Sequence, residues 1–316
     1  MFDFAGNRTT TTLRNFSLTV SVAVLLLPIA ACSKKESAAV ESSPQTFASP
    51  QDAGKALADA AKTQDPDQIM RIFGPEAKEI IASGDPTENK AALANFAQSY
   101  QVMNRWRRLS DGRELLIVGA DNNTFPIPLV KNASGQWYFD TAAGKEEILS
   151  RRIGHNELNA MSVCGAIADA QAQYFTQKHQ YAQKFISDSG QQNGLYWPEV
   201  QGQPRSPLGP MVAYATSEGY KAQPDHHQPY HGYYYVILNK QGPGAPGGAK
   251  DYIVNGKMTG GFAVLAYPAN YGDSGIMTFL INKDGLLLQK DLGKSTDQAA
   301  SAMTEFNPDQ SWTVVE

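Results

Sequence analysis

Apolar residues in the first third of the chain recur at helical spacing. Ala53, Ala56, Leu57, Ala60 and Ala61 share one face of a segment that Ser49 or Asp52 can cap. Asp65-Pro66-Asp67 breaks that segment and starts a second one with Ile69, Met70, Ile72 and Phe73. After Gly74-Pro75 comes a short apolar turn with Ile80 and Ile81, and Asp85-Pro86-Thr87 opens a helix bearing Ala91, Leu93, Ala94 and Phe96. The period then shortens. Leu115 to Val118 reads as a strand, and Phe125 to Val130 as an edge strand, because its two prolines cannot donate ladder hydrogen bonds. Asn132 to Gly135 is a turn into a strand over Gln136 to Phe139.

From Glu146 the spacing is helical again, with carboxylates in the first turn, an interruption at Gly154 and a possible new cap at Asn156. Ala160, Val163, Cys164, Ile167, Gln171, Tyr174 and Phe175 then form one packing face. Pro198 to Pro210 is an irregular loop. His231 to Leu238, Gly261 to Tyr267, Gly275 to Ile281 and Leu286 to Lys290 are strands, with a turn at Asn282 to Gly285 joining the last two. Helices followed by antiparallel strands, twice over, predict an α+β fold. The order over 47–143 resembles an NTF2-like cone. The order over 144–316, one long helix and then an antiparallel meander, resembles a pilin-like unit. A short charged junction between the two, with Arg151, Arg152 and Glu157, reads as a structural joint.

Several long phrases together resemble the DUF2950 family of uncharacterised bacterial envelope proteins. They include Phe139-Asp140-Thr141-Ala142-Ala143-Gly144, Glu146-Glu147-Ile148-Leu149-Ser150-Arg151-Arg152-Ile153-Gly154, and Pro229-Tyr230-His231-Gly232-Tyr233-Tyr234-Tyr235. Asn156-Glu157-Leu158, Gln241-Gly242, Ala245-Pro246-Gly247-Gly248-Ala249, Gly260-Gly261-Phe262-Ala263, Ala266-Tyr267-Pro268, Ser274-Gly275-Ile276-Met277-Thr278-Phe279 and Lys290-Asp291-Leu292-Gly293 belong to the same set, and the resemblance runs from about residue 47 to the end. It implies an envelope location and brings no catalytic residues with it.

The amino terminus points the same way. Arg8 and Arg14 precede an apolar run, Leu18 to Ile29, that is too short to span a bilayer and suits the core of a signal peptide. The run ends in Ile29-Ala30-Ala31-Cys32, which resembles a bacterial lipobox. Residues 1–31 are therefore expected to be a lipoprotein signal peptide, Cys32 the lipidated residue, and 32–46 a flexible tether. Ser33 after the cysteine, rather than Asp, favours the outer membrane and a periplasm-facing, lipid-anchored protein.

Composition narrows the function further. With 42% hydrophobic and 18% charged residues, the 316-residue chain can bury a core. A net charge of −4, with no Lys/Arg run, argues against nucleic acid as a partner. Once Cys32 is acylated, Cys164 is the only thiol, and its place on an apolar helix face makes it structural.

The candidate chemistry is thin. Asp225, His226, His227 and His231 lie close together, but the adjacent His226 and His227 sit in a polar loop, so no metal site and no cofactor is expected. Gly272-Asp273-Ser274-Gly275 copies the surroundings of a protease nucleophile without the histidine context that such a triad needs, and reads as a turn. Gly242 to Gly248 lacks the Lys-Ser/Thr of a phosphate loop and reads as a hairpin loop. Trp197, Tyr230, His231 and Tyr233 are the candidate ligand-binding residues, an aromatic platform of the kind that takes sugars. The leading expectation is a non-enzymatic binding or assembly module, held at the membrane by its lipid and joined to an envelope protein complex. The alternative is a hydrolase or saccharide-binding protein acting on envelope polymers.

Overall fold

A computed structural model describes residues 43–81, 83–221 and 228–315, so Cys32 and the sequence Asp225-His226-His227 lie outside the described residues. Three proline-led helices start the fold: α1 (Pro50–Thr63), α2 (Pro66–Phe73) and, after the short α3 (Ala77–Ile81), α4 (Pro86–Val102). Each is capped by the residue before its proline. Ser49, Asp65 and Asp85 accept hydrogen bonds from first-turn amides, while the proline occupies a position whose N–H would have no partner.

The chain then forms an antiparallel sheet from β1 (Asn104–Arg108), β2 (Glu114–Val118), β3 (Asn123–Thr124), β4 (Leu129–Lys131) and β5 (Trp137–Phe139), in the order β1-β2-β4-β5 with β3 on β2. Two differences from the sequence reading appear here. The expected strand over 125–130 is reduced to its end, β4, since the prolines at 126 and 128 remove ladder donors. Conversely, Asn-Arg-Trp-Arg-Arg forms β1 although it lacks an apolar alternation. It is an edge strand, exposed except at Trp106, and its stability comes from pairing with β2.

The largest departure is α5 (Thr141–Lys178), a continuous helix of 38 residues. It starts at Thr141 with Asp140 as its cap and runs through Gly154, so Asn156 is a fully buried mid-helix residue rather than a cap. A lone glycine costs a helix only about 1 kcal/mol, which packing on both sides outweighs. After it come α6 (Gly209–Ser217) and β6 (Tyr233–Leu238). Two small strand pairs follow: β7 (Lys240–Gln241) with β8 (Lys250–Asp251), and β9 (Ile253–Val254) with β10 (Lys257–Met258). The second sheet is completed by β11 (Ala263–Pro268), β12 (Met277–Asn282) and β13 (Leu287–Asp291), then a short helix, α7 (Thr296–Ser301), and β14 (Thr313–Val314). Its order is β14-β13-β12-β11-β6, every pair antiparallel, so β6 is an edge.

Both halves are thus α+β, and the described residues all fall in one compact unit, Glu41–Glu316. Two apolar cores form within it. One gathers Leu57, Ile69, Phe73, Leu129 and Phe139 under the first sheet. The other gathers Val163, Cys164, Ile167, Phe262, Leu265 and Phe279 between α5 and the second sheet. Ile148 of α5 packs on the first core, and the helix's later turns build the second. Cys164 is completely buried, and desolvation pushes its thiol up to about 12, as suits a packing residue. Among the described residues no helix is long and apolar enough to cross a membrane.

Two glycines of α5 separate local propensity from packing. At Gly144 a Cβ would come within 2.7 Å of the Ile127 backbone, whereas at Gly154 it would meet nothing within 4 Å. Gly144→Ala should therefore destabilise by about 1–3 kcal/mol, and Gly154→Ala should stabilise by about 0.5–1 kcal/mol. Urea unfolding of the two variants checks both signs, and a destabilised Gly154→Ala would contradict a continuous helix.

Candidate functional site

Where α4, α5, the end of α6 and the start of β6 meet, charged side chains are buried or half-buried. Asp85 is 1% exposed. Its Oδ1 accepts the Thr87 and Glu88 amides at 3.0 and 3.1 Å, the capping role expected of Asp before Pro. Its Oδ2 reaches across to the other half, accepting the Tyr220 hydroxyl at 2.8 Å and the Gly232 amide at 3.2 Å. A single carboxylate therefore starts a helix and holds the loop that leads into β6.

His231 sits on that loop in the left-handed region, at φ 50°, followed by Gly232 at φ 72°. A non-glycine residue pays about 1–2 kcal/mol for such a backbone. Two bonds fix it there: the His231 amide donates to the Tyr220 hydroxyl at 3.3 Å, and the Gly232 amide donates to Asp85. Gly232 cannot be replaced cheaply, since a Cβ would lie 2.4 Å from Asn156 Nδ2. The His231 ring packs on Tyr230 and Tyr220, with centroids 4.2 and 5.8 Å away, and its Nε2 lies 3.5 Å from Glu218 Oε2. That is an ion-pair approach and too loose for a hydrogen bond. Burial lowers the His231 pKa, and Glu218 opposes the shift.

Beneath this pair lies Glu88. Burial pushes its carboxyl up to about 7, the nearby Asp85 charge adds to the rise, and Arg152 and Asn156 oppose it. Asn156 Nδ2 donates to Ser274 O at 3.0 Å and lies 3.4 Å from Glu88 Oε2. Arg152 donates to the Ile80 carbonyl, and its guanidinium is depressed by desolvation. Asn156 Oδ1, Arg152 Nη1 and Glu218 Oε2 are buried without a hydrogen-bond partner among the described residues. Unsatisfied groups of this kind cost free energy, and here three of them converge on one junction.

Next to the junction a groove of about 750 Å³ runs along β6. Tyr220 and Tyr230 belong to its wall, so the groove and the charged cluster share two aromatic rings. Phe185, Tyr196, Val212 and Tyr234 are among its other lining residues, with Lys184, Asp188 and Lys221 among the charged ones.

The four residues singled out as an aromatic platform are dispersed. Tyr230 lines the groove and His231 stands at the junction beside it. Trp197 is 3% exposed, packs edge-on against Tyr174 and donates Nε1 to Pro204 O. Tyr233 is wholly buried and donates its hydroxyl to Met277 O. Ser274 is also buried, its hydroxyl bonded to the Asn270 backbone at 3.1 Å, so the Gly-Asp-Ser-Gly stretch is a closed turn. Glu147 and Arg151 form an on-helix pair at 2.7 Å, and Arg151 also donates to Thr124 O. Among the described residues no three His, Cys, Asp or Glu side chains are grouped to hold a metal ion.

The pattern of phrases noted in the sequence has a counterpart among known families. Residues 44–315 match the family described as "Protein of unknown function (DUF2950)". The chain belongs to the DUF2950 family. No curated protein and no solved structure matches it. The DUF2950 phrase Pro229 to Tyr235 carries His231 and Gly232, and the phrase Glu146 to Gly154 carries Arg152, so the junction of this DUF2950 protein is built from family-like segments. Asp85, Glu88, Glu218 and Tyr220 were not visible as site residues in the sequence. The one local signal was Asp85-Pro86, which explains its capping role and nothing of its second one.

Glu88 gives the junction a pH signature. Its folded pKa lies above the unfolded value, so the fold holds the proton more tightly and stability declines as pH rises from about 4.5 to about 7. Glu88→Gln should flatten that slope, gaining about 1–3 kcal/mol over the wild type near pH 8 and little near pH 5. Denaturant midpoints at the two pH values test this, and an equal gain at both would show that Glu88 does not titrate there.

Proposed function

We propose that this DUF2950 protein is an envelope lipoprotein, anchored by Cys32 and facing the periplasm, whose folded part is a non-enzymatic binding module. The groove along β6 is its ligand seat. The observation that carries this reading is the groove itself: a concave, mostly apolar wall of aliphatic and aromatic side chains with a smaller number of polar ones, the composition of a site that holds a ligand by shape and directs it by a few hydrogen bonds. A photo-reactive amino acid at Thr216, an exposed groove residue, should crosslink to a cell-envelope component, while one at Val314, exposed on β14, should not. Equal crosslinking at the two positions would remove the groove from the proposal.

A second reading keeps the same place and adds chemistry. His231 beside Glu218 is a histidine–carboxylate pair next to the groove, which favours hydrolysis of an envelope polymer. It predicts that the purified protein releases soluble fragments from isolated cell-wall sacculi and that His231→Ala does not. Without such release the pair is a structural contact.

The anchor has its own test. Two or three acyl chains hold a protein firmly at a membrane where one is marginal. Cys32→Ser should leave the precursor unprocessed or release the protein from the membrane fraction, and fully processed, membrane-bound Cys32→Ser protein would overturn the lipoprotein reading.

A further inference from the structure

The wall of the groove contains four consecutive residues of one strand, Tyr234, Tyr235, Val236 and Ile237. Neighbouring side chains on a strand point to opposite faces of the sheet. A cavity can touch all four only by running along the strand's edge, where it meets the main chain. Among the described residues β6 pairs only with β11, which leaves its other edge open.

The hydrogen-bond phase of β6 says which main-chain groups face the groove. Ala269 N donates to Gly232 O at 2.9 Å, in the same register that pairs Tyr233 with Pro268 and Tyr235 with Ala266. In an antiparallel ladder the bonded pairs alternate, so residues 234, 236 and 238 turn their N–H and C=O toward β11, and 233, 235 and 237 turn theirs away. Tyr233 agrees with this phase, since both its outward groups are taken by Tyr230 at 2.8 and 3.2 Å. The outward groups of Tyr235 and Ile237 have no backbone partner among the described residues. They present two donors and two acceptors along the groove, spaced about 6.8 Å apart by the strand repeat.

We infer that this groove takes an extended peptide segment of a partner protein, added to β6 as a sixth strand of the second sheet. An extended backbone is the chemistry that matches a donor–acceptor row at strand spacing, and alternate side chains would then enter the aromatic and aliphatic walls. Charge narrows the segment further. Lys221, exposed at the groove, has no ion-pair partner among the described residues, whereas Lys184 is already paired with Asp188 at 2.8 Å. The segment therefore carries an acidic residue where it passes Lys221. This deepens the binding-module reading and rests on it. It also gives the open edge a use, since unprotected edges invite indiscriminate pairing and are normally blocked.

The probe is an N-acetylated, C-amidated hexapeptide of alternating valine and threonine with glutamate at one end. Hydrogen exchange of the full chain should show the amides of Tyr235 and Ile237 fast without peptide and slowed with it. The same peptide N-methylated at alternate nitrogens should bind at least about tenfold more weakly, because only its backbone donors have changed. Ile237→Pro removes one outward N–H from an edge strand and should weaken binding similarly. Ala215→Trp, which narrows the groove from α6 without touching β6, serves if the proline variant unfolds. The inference falls if the peptide protects neither amide or if the N-methylated peptide binds equally well. It also falls if both amides are already protected in the free chain by one of its own segments, or if they become protected only on dimerisation. Failure here combined with selective crosslinking at Thr216 would leave the binding module standing and exclude strand addition; failure of both would remove the groove.

Discussion

One helix ties this molecule together. At 38 residues, α5 is about 57 Å long, roughly twice what either sheet needs to cover it. A helix of that length gains little from its own hydrogen bonds in water and depends on burial along its length. Its first turns lie against the first sheet so closely that only glycine fits at 144, and its later turns supply the apolar face of the second core. Between them, Arg152, Asn156 and Glu157 reach to α3, the 269–275 turn and the β12 backbone, where Glu157 accepts the Ile276 and Met277 amides. The two sheets are therefore registered against the same rod.

The middle of that rod is where the fold is least satisfied. Apolar cores lie on either side, yet the junction holds Asp85, Glu88, Arg152, Glu218 and His231, with three buried polar atoms unpaired and a histidine in a left-handed backbone. An apolar replacement of similar volume would commonly be no less stable than buried charges. Asp85 accounts for part of the arrangement, because its four accepted bonds join α4 to the loop before β6. One of these bonds holds Tyr220 at the wall of the groove, where Tyr230 packs against it, so the groove is shaped in part by the junction beside it.

Elements whose causes are local were legible along the chain. Asp followed by proline placed α2 and α4, and apolar spacing behind a capping residue placed α1. Alternating and continuous apolar runs placed β2, β6, β11, β12 and β13, and the apolar face around Cys164 placed the buried half of α5. Tertiary structure decided everything whose cause lies far along the chain. Pairing with β2 made a strand of Asn104–Arg108, and packing on two sheets carried a helix through Gly154. Of the site, Tyr230 and His231 were legible because a dense aromatic phrase draws attention to itself. Asp85 read only as a cap, since its second pair of donors comes from residues 220 and 232, and Tyr233 read like Tyr230 until its hydroxyl was found bonded inside the core. The open edge of β6 was not legible at all: which strand ends a sheet, and which way its amides point, are properties of the pairing order and not of any single strand's residues.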